Sequence, residues 1–310
     1  MTEELYKKYR PTTFKAMVGS KAAVSQCLNW TQKGKAPHCI LFQGPSGCGK
    51  TTLARILKKK LCCGDADFQE INAAGQARGI ERIKQIESQI RMAAIAGDCR
   101  IYLIDEAHKL TNDAQNAILK MLEDTPAHVY FMLCTTDPQK LIATIRTRAT
   151  AVTVSPLTQA ESLQLIKSVC DKEGITCSEP VAEAIADAAD GSARKVLVLL
   201  NQIIGMEEDA QLEMISKEDA QRTAKELCQK LMNPRSNWKD VAPILKSLDE
   251  DAESFRWMML GYASAVALSG GKMANRAFVI LDQFAGNYFD SKKAGLIADC
   301  WEVVHGRKDD

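Results

Sequence analysis

The sequence predicts an α/β fold: a parallel sheet with helices on both faces, then a small helical lid domain and an all-helical C-terminal domain. Three observations carry this. Short β-branched or apolar runs, "CILFQ", "FQEIN", "RIYLID", "VYFMLC" and "AVTV", alternate with helical patterns such as "KTTLARILKKKL" and "NDAQNAILKMLED" between residues 39 and 154. Parallel neighbours need crossover connections, so strands alternating with helices imply a parallel sheet covered on both faces. A glycine-rich loop joins the first run to its helix, and the strand signal stops at Pro156. The boundaries read from this are 1–155 for the sheet domain, 156–208 for the lid and 209–310 for the last domain.

Composition narrows the class. A chain of 310 residues with 46% hydrophobic and 25% charged residues supports one large or two to three smaller cores, and excludes a disordered or fibrous protein. The net charge of +1 excludes a polycation that coats nucleic acid, although residues 1–60 hold twelve Lys/Arg against Glu3 and Glu4. A solvated basic face is the alternative for that patch. Eleven cysteines without a C-x-x-C pair read as reduced thiols of a cytoplasmic protein. The charged start "MTEELYKKYRP" and a longest apolar stretch of 12 residues, "WMMLGYASAVAL", predict neither signal peptide nor membrane segment.

After the first strand comes "GPSGCGKTT": Gly44, Pro45, Ser46, Gly47, Cys48, Gly49, Lys50, Thr51 and Thr52. It fits the P-loop pattern G-x-x-x-x-G-K-[ST] in its strand-loop-helix setting. Glycines let consecutive N–H groups turn inward around a phosphate, and the following helix adds its positive end. Lys50 neutralises the β- and γ-phosphates of ATP, and the Thr51 hydroxyl serves Mg²⁺. Cys48 reads as packing. "RIYLIDEAH" ends a strand in Asp105 and Glu106, 55 and 56 residues after Lys50. Asp105 suits Mg²⁺ through its water shell, and Glu106 suits a general base toward the attacking water. His108 and Lys109 read as a solvated loop. The next strand ends in Thr135-Thr136, where a hydroxyl could meet the γ-phosphate; ordinary turn chemistry before Asp137-Pro138 is the alternative. "IATIRTRAT" then sets Arg146 and Arg148 two residues apart. Past Pro156, Thr158, Ser178 and Ser192 read as N-caps of three helices over residues 157–205. "GMEEDAQLEMISKED" lowers the hydrophobic density, and residues 218–310 read as helices with breaks near "NPRSN", "SGGK" and "FDSKK".

With "KYRP" (8–11), "VG" (18–19), the P-loop, "EINAAGQARGI" (70–80), "LIDEAHKL", "TTDPQKL" and "GSARK" (191–195) in order, residues 4 to about 205 resemble the AAA+ sliding-clamp loader ATPases. The likeness extends to the gamma/tau subunit of bacterial DNA polymerase III, replication factor C small subunits and phage loader large subunits. It implies an adenine-side pocket at Tyr9, Arg10, Pro11, Val18 and Gly19. It also implies Thr136, with Thr135, as the γ-phosphate sensor, and Arg194 as a lid arginine reaching the same nucleotide. The family's Ser-Arg-Cys motif falls on Thr147-Arg148-Ala149, which keeps the arginine and changes both neighbours. Arg148 is expected to serve the ATP of the next subunit. The four-cysteine zinc module of bacterial members has no counterpart in "CCGDADFQEI", so no structural zinc is expected.

The resemblance further implies partners: a sliding clamp, primer-template DNA, and a ring of several copies with a different subunit, joined through a helical collar. Arg78, Arg82, Lys84 and Arg91 are the candidate DNA contacts, with a solvated helix face as the alternative. Met92 and Ile95 could touch the clamp, although sequence alone favours core packing. Asn72 is a candidate restraint on Glu106. Competing readings are a DEAH-type helicase, which needs a second nucleotide-binding sheet, and a non-catalytic scaffold subunit, which should have lost Lys50, Glu106 or Arg148. A third is another AAA+ DNA-remodelling motor, which should carry a winged helix in place of the collar.

Overall fold

In the computed structural model, which describes residues 4–74, 79–248, 251–271 and 273–306, the five apolar runs are strands. They are β1 (Cys39–Gln43), β2 (Phe68–Asn72), β3 (Arg100–Asp105), β4 (Val129–Thr135) and β5 (Thr150–Thr153). They form one sheet in the order β2-β3-β4-β1-β5, and every neighbouring pair is parallel.

Side chains alternate across a strand, and the strand residues divide between two core clusters with that period. Cys39, Leu41, Tyr102, Ile104, Phe131 and Leu133 point to one face. There they meet Ile83 and Ile86 of α4 (Gly79–Gln89), Ile118 of α5 (Asn112–Glu123) and Ile145 of α6 (Ala143–Arg148). Ile40, Phe42, Ile101, Leu103, Met132 and Cys134 point to the other, where Ala23 and Cys27 of α2 (Lys21–Lys33) and Leu53, Ile56 and Leu57 of α3 (Lys50–Lys60) cover them. Strands buried on both faces carry no polar alternation, which is why they read as continuous apolar runs.

The chain leaves β1 toward β2 at one edge of the sheet and leaves the adjacent β4 toward β5 at the other. Where neighbouring strands depart in opposite directions, a crevice opens at their carboxyl ends, and ligands of open α/β sheets bind there. The P-loop follows β1, and Thr135 ends β4.

Chain packing divides the molecule into two compact units, Met1–Met206 and Glu207–Asp310. The first also holds α1 (Leu5–Lys8), α7 (Gln159–Glu173), α8 (Glu179–Ala189) and α9 (Ala193–Ile203). Thr158 and Glu161 form a capping box at α7, and the Ser192 side chain accepts from Lys195 N at α9. The second unit contains α10 (Glu208–Met232), α11 (Trp238–Lys246), α12 (Ala252–Leu268), α13 (Ala274–Gln283) and α14 (Lys292–His305). They close on Leu227, Leu231, Val241, Phe255, Met259, Phe284 and Leu296. Two details differ from the expectation. The low-hydrophobicity stretch after Gly205 is mostly helix, because α10 starts at Glu208 with Glu208 and Asp209 in its first turn, where acidic side chains favour the helix dipole. Helix α11 also ends at Lys246, and Ser247 and Leu248 beyond it lie outside any helix.

Among its described residues the second unit buries an ion pair between Glu253 and Arg256. Arg256 Nε donates to Glu253 Oε2 at 3.0 Å, Arg256 Nη1 to the Phe284 carbonyl at 3.1 Å, and Tyr288 N to Glu253 Oε2 at 2.9 Å. The Arg256 guanidinium, helped by the Tyr288 N–H and opposed by desolvation, holds the Glu253 carboxyl down at about 2, against 4.5 for an ordinary glutamate. A depressed folded-state pKa contributes stability that is complete above the unfolded value and is lost as pH falls toward the folded one. Acid titration of the full chain, followed by far-UV circular dichroism, is therefore expected to show helix loss between about pH 4.5 and 2. Glu253→Gln should be less stable at neutral pH and should lack this step; an unchanged acid profile would contradict the assignment.

Candidate functional site

Sterics shape the P-loop first. A Cβ on Gly44, whose φ is 150°, would lie 2.0 Å from the Val154 carbonyl oxygen at the end of β5. One on Gly47 (φ 74°) would lie 2.1 Å from Ser192 Oγ at the start of α9. Only glycine allows the loop to lie this close to both neighbours. Lys50 is buried, and its Nζ donates to the carbonyls of Gly44 (2.8 Å) and Pro45 (2.7 Å). The ammonium is thus pinned beneath the loop, with the charge that a phosphate requires. Pro45 and Ser46 are exposed at the loop tip, and Thr51 and Thr52 open α3 half-buried. Cys48 Sγ donates to Pro45 O at 2.9 Å, and burial pushes its thiol pKa up, so it packs as expected and is not a ready nucleophile.

Strand β3 brings its carboxylates to the same edge. Thr51 Oγ1 donates to Asp105 Oδ2 at 2.9 Å, across 54 residues of sequence. A hydroxyl and a carboxylate at this spacing form a hard-oxygen pair of the kind that holds Mg²⁺ alongside phosphate oxygens and water. Glu106 N donates to Asp105 Oδ1 at 3.0 Å, and Glu106 sits in the left-handed region at φ 55°, a conformation costly for a side chain of this size. That turn points the two adjacent carboxylates differently: Asp105 toward Thr51, Glu106 toward Lys109 Nζ (3.2 Å) and His108 Nε2 (3.5 Å).

Two expectations change here. His108 is not a solvated loop residue: its side chain is 9% exposed, and its Nδ1 lies 3.2 Å from Thr135 Oγ1. Lys109 is exposed, as expected. Asn72, opposite Asp105 in the register, does not hold Glu106; its Oδ1 accepts from Ala74 N at 2.9 Å, which folds the side chain back on its own turn. Of the two threonines, Thr135 is fully buried at the strand tip, with its Oγ1 accepting from Asp137 N at 3.1 Å, whereas Thr136 lies one residue beyond and is exposed.

The amino-terminal segment and α9 close the other side. Arg194 N donates to Gly47 O at 3.3 Å, which places this arginine's backbone on the P-loop. A Cβ on Gly49 would lie 3.3 Å from Met17 Cε, and one on Gly19 2.5 Å from Leu157 Cδ2. Val18 and Gly19 therefore lie between the loop and the lid connection, to which Ser20 Oγ also donates at Ser155 O (3.0 Å). Arg10 has its pKa lowered, first by burial and then by the charges of Arg55 and Arg194, and an anion among these guanidiniums would relieve that repulsion. Pro11 is half-buried beside it in sequence. Tyr9 is held at the end of α7, its ring 5.5 Å from both Lys8 Nζ and Lys172 Nζ, and hydrogen bonding to Glu173 raises its hydroxyl pKa.

Arg148 ends α6, two residues before Thr150. Thr150 pairs with Ile40, near the start of β1, while the P-loop leaves the far end of that strand. At about 3.3 Å per residue, the four steps from Thr150 to Val154 span roughly 13 Å. Arg148 thus lies at the end of the sheet opposite its own P-loop. It is 40% exposed, and its Nη2 donates to Glu123 Oε1 at 2.9 Å. Arg146 is half-buried and donates to Gln139 Oε1 at 2.8 Å.

Gln115, which the sequence reading passed over, is buried in α5. Its Nε2 donates to Leu110 O (3.2 Å) and Lys140 O (3.4 Å), and its Oε1 accepts from Ile142 N (2.9 Å). It ties the loop after Glu106 to the segment that launches α6. Its signal was a polar residue three positions before Ile118, on the buried stripe of an amphipathic helix.

Among the candidate nucleic-acid contacts, Lys84 on α4 and Arg91 just beyond it are exposed. Arg78 and the Arg82 side chain lie outside the described residues. Met92 and Ile95 are 56% and 78% exposed, so core packing is not their role. They lie beyond the end of α4, where the helix no longer presses an apolar stripe onto the sheet.

Comparisons with known proteins agree with this geometry. The family model described as DNA polymerase III, delta subunit, matches residues 64–158. DNA polymerase III subunit gamma/tau of Mycobacterium bovis is 30% identical over 223 residues, which cover 64% of this chain and 38% of that protein. DNA polymerase III subunit gamma of Buchnera aphidicola is 34% identical over 217 residues, covering 63% and 60%. The chain thus spans less than two thirds of the length of these relatives. Among solved structures, the RuvB Holliday junction branch migration motor of Thermotoga maritima superposes with a TM-score of 0.57 at 18% identity, over 77% of this chain and 85% of that one, a likeness of fold. Strand order, P-loop geometry and these matches together identify the chain as a P-loop protein of the AAA+ fold that is similar to the gamma and gamma/tau subunits of DNA polymerase III.

Proposed function

We propose that this chain is the ATPase subunit of a sliding-clamp loader, using ATP binding and hydrolysis to open a processivity clamp and place it on primer-template DNA. The observation that carries the reading is the convergence of Lys50, Thr51, Asp105, Glu106 and Thr135 at one crevice while Arg148 stands exposed at the other end of the sheet. The P-loop N–H groups and Lys50 bind the β- and γ-phosphates. Thr51 and Asp105 would hold Mg²⁺, which supplies charge neutralisation between those phosphates when bound. Glu106 orients the attacking water and accepts its proton, and Thr136, with Thr135 beside it at the tip of β4, contacts the γ-phosphate. Arg194 and Arg10 approach the nucleotide from the lid side, with Val18, Gly19 and neighbouring Tyr9 and Pro11 toward the base. Arg148 completes the site of an adjacent subunit.

In this reading residues 1–155 are the ATPase domain, 156–208 the lid and 209–310 the collar that holds several copies and a different subunit in a ring. Trp257, Leu268, Phe278 and Phe289 of the second unit are 62%, 88%, 60% and 69% exposed, which suits a surface that partner subunits cover. Lys84 and Arg91, with Arg78 and Arg82, track the DNA backbone without reading its sequence, and Met92 and Ile95 supply apolar contact with the clamp. No helix among the described residues is long and apolar enough to cross a membrane. A two-sheet helicase and a branch-migration motor fit less well: among the described residues, no strand follows β5 and the second unit is helical.

Steady-state hydrolysis, measured with and without primer-template DNA and the cognate clamp, tests the reading. Stimulation of roughly tenfold or more in the intact assembly is expected, as a site completed between subunits requires. Equal rates in every combination would rule the loader function out.

A further inference from the structure

His108 is used by none of the roles above, yet its ring joins two groups of the site. The other three histidines are engaged elsewhere: His38 Nδ1 at Val129 O, His128 Nε2 at Met92 O, and His305 stacked on Trp301. His108 Nε2 lies 3.5 Å from Glu106 Oε2 and Nδ1 lies 3.2 Å from Thr135 Oγ1, with the side chain 9% exposed. A carboxylate only accepts, so the nitrogen facing Glu106 carries the ring proton. In an imidazole with one proton, Nδ1 then accepts, and the donor before it is the Thr135 hydroxyl. Thr135 Oγ1 meanwhile takes the Asp137 N–H, so its single proton is directed at the ring. The hydrogen bonds point one way, from Asp137 N–H through Thr135 O–H to the His108 ring, whose other nitrogen faces the Glu106 carboxylate at 3.5 Å without a formed hydrogen bond. Such chains polarise one another.

We propose that His108 is a positioning residue that couples Thr135 to Glu106, so that engagement of Thr135 by a terminal phosphoryl oxygen changes the hold on the Glu106 carboxylate. The inference rests on the hydrolytic reading of this site. Thr135 has one hydroxyl proton to give, and a charged phosphoryl oxygen is a stronger acceptor than a ring nitrogen. Once that proton turns to phosphate, His108 keeps only its 3.5 Å contact with Glu106 and is free to rotate. Glu106 is then left with Lys109, whose side chain is 48% exposed, and with water. Thr135 is fully buried in the free chain, so its hydroxyl meets a phosphoryl oxygen only as the crevice around it opens, while Glu106 starts from its left-handed turn. Occupancy of the phosphate site is thereby transmitted to the group that handles the water.

The test uses the full chain labelled with ¹⁵N-histidine, with the His108 signals assigned by their loss in His108→Gln. Magnesium with a non-hydrolysable ATP analogue should shift the His108 ring nitrogens and leave the other three histidines in place, whereas magnesium-ADP should not. In turnover, His108→Ala should lower kcat about tenfold or more with KM for ATP within about twofold, the pattern of a residue that acts after binding. His108→Gln, which carries both a donor and an acceptor, should recover part of the loss. The double variant His108→Ala/Thr135→Val should be no slower than the slower single variant, because the two act in series. Ring signals unmoved by the analogue, or single effects that multiply, would overturn the coupling. Glu106→Gln separates the two readings: if it turns over like the unaltered chain, the hydrolytic reading falls, and if it is inactive while His108→Ala matches the unaltered chain, only the coupling falls.

Discussion

Glu106→Gln is expected to lower ATP turnover by about two to four orders of magnitude, the range for loss of a positioned general base, while nucleotide affinity stays within roughly threefold. The side chains are isosteric, so the left-handed turn at φ 55° and the Glu106 N–H bond to Asp105 Oδ1 at 3.0 Å are retained. The groups placed to hold nucleotide, Lys50 on its two carbonyls and Thr51 on Asp105, do not touch the Glu106 carboxylate in its pairing with Lys109 and His108. An amide cannot take the proton of an attacking water, so chemistry should fail where binding does not. Single-turnover hydrolysis alongside equilibrium titration with a fluorescent ATP analogue separates the two. Parallel losses in both would point to a misfolded loop, and unchanged turnover would remove Glu106 from the mechanism.

Arg148→Ala should have an effect at least as large, but only in the assembled ring: a fall of about 10³ to 10⁵ in turnover, with ATP binding by the altered subunit unchanged. Stability does not explain such a loss. The Arg148–Glu123 pair is 40% and 49% exposed at its two side chains, and pairs of that kind contribute about 0–1 kcal/mol. The register places Arg148 near the amino-terminal end of β5, away from its own P-loop, so in the proposed ring the phosphate it would meet belongs to another chain. Mixing supplies the decisive comparison. Arg148→Ala subunits retain a working P-loop and Lys50→Ala subunits retain the arginine, so mixed rings should regain activity that neither forms alone. If no mixture recovers, the shared-site arrangement is wrong. The altered neighbours Thr147 and Ala149 do not weaken this expectation. The guanidinium is oriented by Glu123 and by the Thr144 carbonyl at 3.4 Å, while Thr147 Oγ1 bonds back to Thr144 O at 3.1 Å.

Much of this was legible in the chain. All five strands and the catalytic-loop candidates were readable because each is a local pattern: a continuous apolar run, a glycine-rich turn between strand and helix, or acidic residues at a strand tip. The P-loop was legible for a steric reason, since the close approach of Val154 O to Gly44 leaves glycine no substitute. His108 was read wrongly as wet because nothing in "DEAHKL" tells which ring nitrogen will meet a threonine 27 residues later. Gln115 was passed over because a glutamine in an amphipathic helix usually faces water. Met92 and Ile95 were read as core because apolar residues usually are, and only the end of α4 shows that no layer covers them.

The sequence by itself determined the elements, the phosphate-binding loop and the two carboxylates, since periodicity, glycine sterics and residue chemistry act over a few neighbours. Tertiary structure alone decided the rest: that Thr135 and not Thr136 is buried at the site, that His108 spans Glu106 and Thr135, and that Arg148 stands at the end of the sheet away from its own P-loop. Those relations depend on the strand order β2-β3-β4-β1-β5, which sets beside one another residues tens of positions apart in the chain and which no short stretch of the sequence encodes.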